Sequence, residues 1–199
     1  MRAIRQEEFG GPEVLREVTV PRPVPDVGEV RIAVRAAGVN PTDCRHRAGG
    51  LFLRRLPLTL GWDVSGVVES VGLGVTLFRP GDEVFGMLPY PYGVGSHAQY
   101  VVGPARSFAR KPAGLGHVQA AAADEAEREA GQGGRVRTIA VQADHAGIKA
   151  IADLAASGAL RPHIEATFPL AKATEAHTLL ENGQTAGKIV LVVEHRNTD

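Results

Sequence analysis

At 199 residues the chain has room for one domain of ordinary size, or for one domain with an appendage. Hydrophobic residues at 44% against charged residues at 22% exclude a disordered or membrane-embedded chain, and 22 Lys plus Arg balanced by 22 Asp plus Glu leave no net field for nucleic acid or an anionic bilayer. Cys44 is the only cysteine, which excludes an internal disulfide and a metal site of several thiolates; with no apolar run of about 18 residues and no secretory leader at Met1, a cytoplasmic location is expected.

The first hundred residues are rich in glycine, proline and valine, with short apolar runs at near-regular spacing, the pattern of a strand-rich barrel or sandwich. In "EVRIAVRAAG" Val30, Ile32, Val34 and Ala36 alternate with Glu29, Arg31 and Arg35, so the segment reads as a half-buried strand. "NPTDCRHRAG" then reads as a short helix, with Asn40 as its cap, Pro41 at the first helical position and Gly49 at its end. Further strands are expected in "WDVSGVVESVG", "DEVFGM" and "HAQYVV", the last opening at His97, separated by the turn chemistry of "GLGV", "RPGD" and "LPYPYGVG".

The character changes at about Gly116. "HVQAAAADEAEREAG" predicts a helix with a solvated face, closed by Gly131 and followed by the flexible "GQGG". "RVRTIAV" predicts a strand, and "DHAGIKAIADLAASG" a helix capped by Asp144 with Ile148, Ile151, Ala152, Leu154 and Ala155 near helical spacing. "AKATEAHTLLENG" predicts another helix and "GKIVLVV" a closing, nearly all-apolar strand, while the polar tail "EHRNTD" is expected to fray.

In "AAGVNPTDCRHRAG", "PLTLGWDVSGVVESVGLGVTLFRPGDEVFGM", "GSHAQYVV" and "TAGKIVLVV" the chain resembles the zinc-free quinone and enone reductases of the medium-chain dehydrogenase/reductase superfamily, over residues 1–123 and again over 135–193. The resemblance implies a GroES-like barrel carrying the substrate side, a Rossmann domain inserted within it that binds NADPH, and an active site in the cleft between them. Against that plan the insertion is nearly absent. A doubly wound nucleotide domain takes roughly 100 residues or more, and only about 40 separate "QAAAA" from "LRPHI". The expected fold is therefore α+β and β-rich: one GroES-like domain with its core in 1–118 and 161–193. In 119–160 it carries a linker helix and the residual strand and helix of a deleted nucleotide-binding domain, with the junction near Ala123 and Asp124. "GVGSHA", from Gly93 to Ala98, satisfies G-x-G-x-x-A but precedes a strand where a phosphate-binding turn precedes a helix, so it reads as a turn or active-site loop.

The resemblance puts Asn40 and Thr42 in the cleft, Asn40 beside nicotinamide and substrate and Thr42 at the position that relays a proton in zinc enzymes; the residues by themselves read equally as a helix cap and first-turn hydrogen bonding. Zinc-dependent relatives have a cysteine at Asn40 and a His with a Glu at Trp62 and Asp63, so no metal is expected, a cluster of His97, Asp43 and Asp63 being the alternative. Trp62 is either a flat apolar wall for a planar ligand or core. Tyr90 and Tyr92 either stack on that ligand or donate a phenolic proton, or else cover the barrel end. Asp43 reads as structural, paired with Arg45 or Arg47, His97 as a structural histidine or an acid/base, and Cys44 as a small buried residue. The candidate catalytic set is Thr42, Asn40 and Tyr92, with Trp62, Tyr90, Asp63 and His97 toward the substrate and Asn40 also toward the cofactor.

Three functions fit these residues. The first is an NADPH-dependent quinone/enone oxidoreductase, for which hydride transfer needs a nucleotide domain from a partner subunit because no cofactor is expected to bind independently. The second is a cofactor-free binder or acid/base enzyme, a cyclase, isomerase or dehydratase, acting on a planar quinone- or polyketide-like molecule. The third is an inactive truncated scaffold. With "RVRTIAV" cut from its former sheet, its edge is expected to pair across a two-fold axis, giving a homodimer through Arg135 to Val141.

Overall fold

The computed structural model describes residues 1–49, 55–90, 95–123, 144–183 and 185–195. In chain order the elements are β1 (Arg2–Gln6), β2 (Arg16–Thr19), β3 (Glu29–Val39), α1 (Pro41–Gly49), β4 (Leu58–Thr59), β5 (Asp63–Val71) and β6 (Glu83–Met87). They continue with β7 (Tyr100–Pro104), β8 (Phe108–Arg110), α2 (His117–Ala122), α3 (His145–Ala156), β9 (Ile164–Pro169), α4 (Ala173–Glu181) and β10 (Lys188–Val192). The expected linker helix beyond Ala123, the strand Arg135 to Val141 and Tyr92 lie outside the described residues.

Strand β3 organises the larger sheet. Its order runs β8-β6-β5-β3-β10-β9, with β7 also paired to β3. One edge of β3 pairs with β5 along Val30 to Ala36, while the other is shared between β7, along Glu29 to Ala33, and β10, along Ala36 to Val39. That division explains the burial pattern. The alternation of Val30, Ile32 and Val34 against Glu29, Arg31 and Arg35 makes one face apolar, and from Ala36 onward both faces are covered. A smaller sheet, β2-β1-β4, leans on the first through a bridge between Ala3 and Ala98.

The "HAQYVV" strand begins later than its alternation implies, at Tyr100. His97 and Ala98 instead serve the small sheet: Ile4 N–H donates to the His97 carbonyl at 2.9 Å. The polar tail is also held at its root, because His195 Nε2–H donates to the Val34 carbonyl at 2.8 Å and Arg2 reaches the Glu194 carbonyl at 3.0 Å. Helix α3 starts as its sequence implies, with the Asp144 carboxylate accepting from Gly147 N–H at 2.9 Å. It buries Ile148, Ile151 and Ala152 against Phe85, Ala109, Ala120 and Ala123, whereas Leu154 faces outward. Among the described residues no helix is long and apolar enough to cross a membrane.

Candidate active site

Three strand ends bring three polar side chains together. Asn40 follows β3, Asp63 opens β5 and Lys188 opens β10, and because β5 and β10 flank β3 these positions converge. Lys188 Nζ donates to Asn40 Oδ1 at 2.5 Å and to Asp63 Oδ2 at 2.8 Å, and Asn40 Nδ2 donates to the same Asp63 oxygen at 2.8 Å. All three are almost fully buried, so the ion pair works in a low-dielectric site where charge must be matched. Gly38 makes the approach possible: a Cβ there would stand 2.5 Å from Asp63 Oδ2, 2.7 Å from Lys188 Cε and 3.0 Å from the Ala121 carbonyl.

Asn40 is therefore not the side-chain cap of α1. The cap runs the other way: Asp43 Oδ2 accepts from Asn40 N–H at 2.7 Å, and Asp43 Oδ1 accepts from Gly61 N–H at 2.9 Å. Gly61 has φ +98°, and a side chain there would meet Ser96 and His97. Burial raises the pKa of Asp43, opposed first by His97. The pairing of Asp43 with Arg45 or Arg47 is not what forms: Arg45 is exposed, and Arg47 turns inward to Glu181 at 2.5 Å, the Gly10 carbonyl and His177.

The other sequence candidates fall around this centre. His97 is fully buried, with Nε2 3.2 Å from the Gly38 carbonyl and its ring edge-on to His177 at 5.8 Å. Thr42 is half-buried on α1, and its carbonyl accepts from His46 Nδ1–H at 2.8 Å. Trp62 lies at 2% exposure in the main apolar cluster, packed on His46 at 5.0 Å and Tyr90 at 5.3 Å, so as folded it is core and not an open wall. Tyr90 is partly buried and covers it. Cys44 is buried with Sγ 3.5 Å from His177 Nδ1; burial, Asp43 and Glu181 push its thiol up to about 12, which leaves it unreactive.

A cavity of about 260 Å³ opens beside the triad, with Val39, Pro41, Ala122, Leu160 and Leu180 as apolar walls and Lys188 on its lining. Arg161 and His163 stand exposed at the rim. A second cavity of about 270 Å³ at Cys44, Arg45 and Glu181 shares Pro41 and Leu180 with the first. Among the described residues no group of three or more His, Cys, Asp or Glu is placed to hold a metal ion. Of the G-x-G-x-x-A segment, the described amides of Gly95, Ser96 and His97 are engaged: Gly95 and Ser96 N–H donate to the Gly61 carbonyl at 3.0 and 3.2 Å, and His97 N–H to the Leu60 carbonyl at 3.0 Å.

Sequence reasoning missed Lys188. The available signal was a lysine opening an otherwise apolar strand that is buried on both faces, since a cation there requires an anion opposite.

Comparison with known proteins places this architecture. The alcohol dehydrogenase GroES-like domain matches residues 26–113. Quinone oxidoreductase from Lama guanicoe is 41% identical over 124 residues, covering 61% of this chain and 37% of the relative, and that from Rattus norvegicus is 51% identical over 88 residues, covering 43% and 26%. The matched segments thus span well under half of these relatives' length. The quinone oxidoreductase structure from Coxiella burnetii superposes with a TM-score of 0.85 at 22% identity, the alignment covering 98% of this chain and 99% of that one. The Escherichia coli quinone oxidoreductase complexed with NADPH gives 0.80 at 17%, covering 96% and 100%. At these identities the structures speak for the fold alone. Domain match, relatives and fold agree: residues 26–113 match the alcohol dehydrogenase GroES-like domain, and the chain is similar to quinone oxidoreductases of the medium-chain dehydrogenase/reductase superfamily.

Proposed function

We propose that the chain is the substrate-side, GroES-like part of a quinone/enone oxidoreductase that lacks its nucleotide-binding domain, and that it binds a small planar quinone-like molecule without transferring hydride by itself. The observation that carries this reading is the short path between α2 and α3. Only residues 124–143 separate Ala123 from Asp144, while a doubly wound domain needs roughly 100 residues or more, and α3 packs directly on Ala120, Ala123 and β8. Helix α3 is then the retained last helix of that domain.

The described residues do not fit NADPH. A pyrophosphate needs unengaged amides at a helix N-terminus, and in the glycine segment that meets the formula Gly95, Ser96 and His97 have spent theirs on the carbonyls of Leu60 and Gly61. They do not fit zinc either, because Asp63 is bonded to the Lys188 ammonium and the neighbouring position is an indole. What this chain supplies is the cavity, its apolar walls and the hydrogen-bonded Asn40–Asp63–Lys188 set. Substrate seated against Val39, Pro41 and Leu180 lies beside these groups.

A second reading, cofactor-free acid/base chemistry on the same ligand, rests on the buried lysine lining that cavity next to a carboxylate, a pair that can hold and pass a proton. Titration calorimetry with NADPH and with a naphthoquinone tests both. Naphthoquinone uptake without NADPH uptake is the expected result; tight stoichiometric NADPH uptake refutes the missing-domain reading. Enone turnover without cofactor favours the second reading, and no binding of either compound leaves an inactive scaffold. The same reading includes a homodimer through Arg135 to Val141, no nucleic-acid or membrane partner and a cytoplasmic location; a strictly monomeric species in sedimentation at high micromolar concentration refutes the dimer.

A further inference from the structure

Around His97 and His177 the interior holds polar atoms that are not paired with one another. Gln6 Oε1, Trp62 Nε1, Ser96 Oγ, His97 Nδ1 and His177 Nε2 are all shut away from solvent with no hydrogen-bond partner among the described residues. Their residues adjoin. Gln6 Nε2 donates to the Arg47 carbonyl at 3.2 Å, Arg47 Nη1 donates to His177 Nδ1 at 3.2 Å, and the His177 ring stands edge-on to His97 at 5.8 Å. A Cβ on Gly61, which precedes Trp62, would lie 2.3 Å from Ser96 Oγ and 2.4 Å from His97 Cδ2.

The neighbours of the two rings fix where their hydrogens sit. A guanidinium only donates, so the Arg47 contact makes His177 Nδ1 an acceptor, and the hydrogen of that ring is on Nε2. Cys44 Sγ, 3.5 Å from the same Nδ1, can donate there as well. A carbonyl only accepts, so His97, with Nε2 at 3.2 Å from the Gly38 carbonyl, carries its hydrogen on Nε2 and in its neutral form leaves a lone pair on Nδ1. One ring is thus left with a bare donor and its neighbour with a bare acceptor, and the two do not bond to each other.

Buried polar groups in folded proteins are hydrogen-bonded, because an orphan loses its hydration and gains nothing in return. The chemistry of this pair selects the missing partner. A cation would stand against the His177 Nε2 hydrogen and beside the Arg47 guanidinium, and an anion would meet the His97 lone pair, so the partner is neutral and both donates and accepts. Gln6, Ser96, His97 and His177 have no exposure at all, which admits only a very small molecule. With ring centres 5.8 Å apart and hydrogen bonds of about 2.9 Å, one water spans the gap, or two in series.

We propose that His177 and His97 hold an internal water bridge, His177 Nε2–H donating to a water oxygen and His97 Nδ1 accepting a water hydrogen, with the orphaned oxygens of Ser96 and Gln6 as acceptors for the hydrogen that remains. The bridge joins α4 to the segment ahead of β7. Leu180, on the same helix, walls both cavities, so the water is one of the ties that place this wall, alongside the Arg47–Glu181 ion pair. The site does not depend on which ligand the cavities take.

A high-resolution crystal structure of the full chain tests this. The expected result is an ordered water, or two in series, linking His177 Nε2 to His97 Nδ1 through contacts of about 2.7–3.2 Å. A direct bond between the two nitrogens, a protein group in the gap, or rings packed together with no water between them overturns the proposal. In solution, nitrogen NMR at about pH 8 should find both rings as Nε2–H tautomers, with the His177 Nε2–H showing a magnetisation-transfer peak to a long-lived water. An Nδ1–H tautomer in either ring overturns the bookkeeping and the bridge with it. His97→Phe removes the acceptor and should abolish the water peak at His177, and its persistence at full strength overturns the bridge. Should that variant not fold, the wild-type density and tautomers decide.

Discussion

The sheet around β3 and the layer formed by α2 and α3 are buried to a similar degree but by different means. Around β3 the covered side chains are large: Ile32, Ile189, Leu191, Phe108 and Trp62, on strands locked in register. Between α2, α3 and the sheet they are mostly methyls, with Ala120, Ala121, Ala122 and Ala123 facing Ala36, Ala109 and Ala152. Fractional exposure does not measure stabilisation. Transfer free energy follows the area removed from water, about 25 cal/mol per Å², and an alanine brings little of it. The alanine layer gains close backbone approach and depends on polar ties: His117 to Ser65 and Glu83, Asp144 to Gly147, and His145 to the Phe108 carbonyl at 2.8 Å.

The largest test of this contrast lies where both regions meet. Lys188→Met removes the ammonium from a carboxylate that is almost fully buried and should cost about 3–5 kcal/mol in urea unfolding, much of it recovered when Asp63→Asn is added. A loss below about 1 kcal/mol in the single variant would deny the ion pair its structural role. Next, Ile32→Ala in the strand core should cost about 2–5 kcal/mol, and Ile148→Ala at the alanine layer should fall at or below the low end of that range. Equal losses would erase the distinction drawn between the two regions.

Acid sharpens it further. His177 on α4 is buried; Cys44 and Arg47 both address its Nδ1, and burial, then His97 and Arg47, lower its pKa to about 2. With its folded-state value lowered, its stabilising contribution is complete above 6.5 and is lost as pH falls from there toward about 2. Thermal melts at stepped pH should therefore show a shallower acid limb for His177→Gln than for the wild type; identical limbs would remove His177 from the account. The smallest effect is expected at Leu154, half-exposed on the outer face of α3, where Leu154→Glu should change unfolding free energy by no more than about 0.5 kcal/mol. A larger destabilisation, read in the same melts, would mean that this face is covered in solution.

Much of the strand framework was legible because its signals are local. The alternation in β3, the Pro41 start of α1 and the Asp144 cap of α3 each follow from neighbouring residues, and the family motifs ordered the strands. The site was legible only in part. Asn40 and Asp63 were singled out, yet their partner Lys188 stands 148 and 125 positions away and announces itself only as a charge at the head of an apolar strand. Asn40 was expected to cap a helix because propensity is local, whereas the tertiary ion pair claimed its amide. Trp62 reads alike as wall or core from sequence, and burial under Tyr90 and His46 decides for core. His117 gave no signal at all, since its partners lie on β5 and β6.

The position of β10 has a consequence for synthesis. This last strand lies between β3 and β9, antiparallel to one and parallel to the other, so the sheet has an interior gap until residues 188–192 leave the ribosome. A nascent chain cannot close the sheet before residues 188–192 emerge, and until then the β3 edge stands open to other strands. Cutting the chain before residue 188 would remove an inner strand together with the lysine that neutralises Asp63.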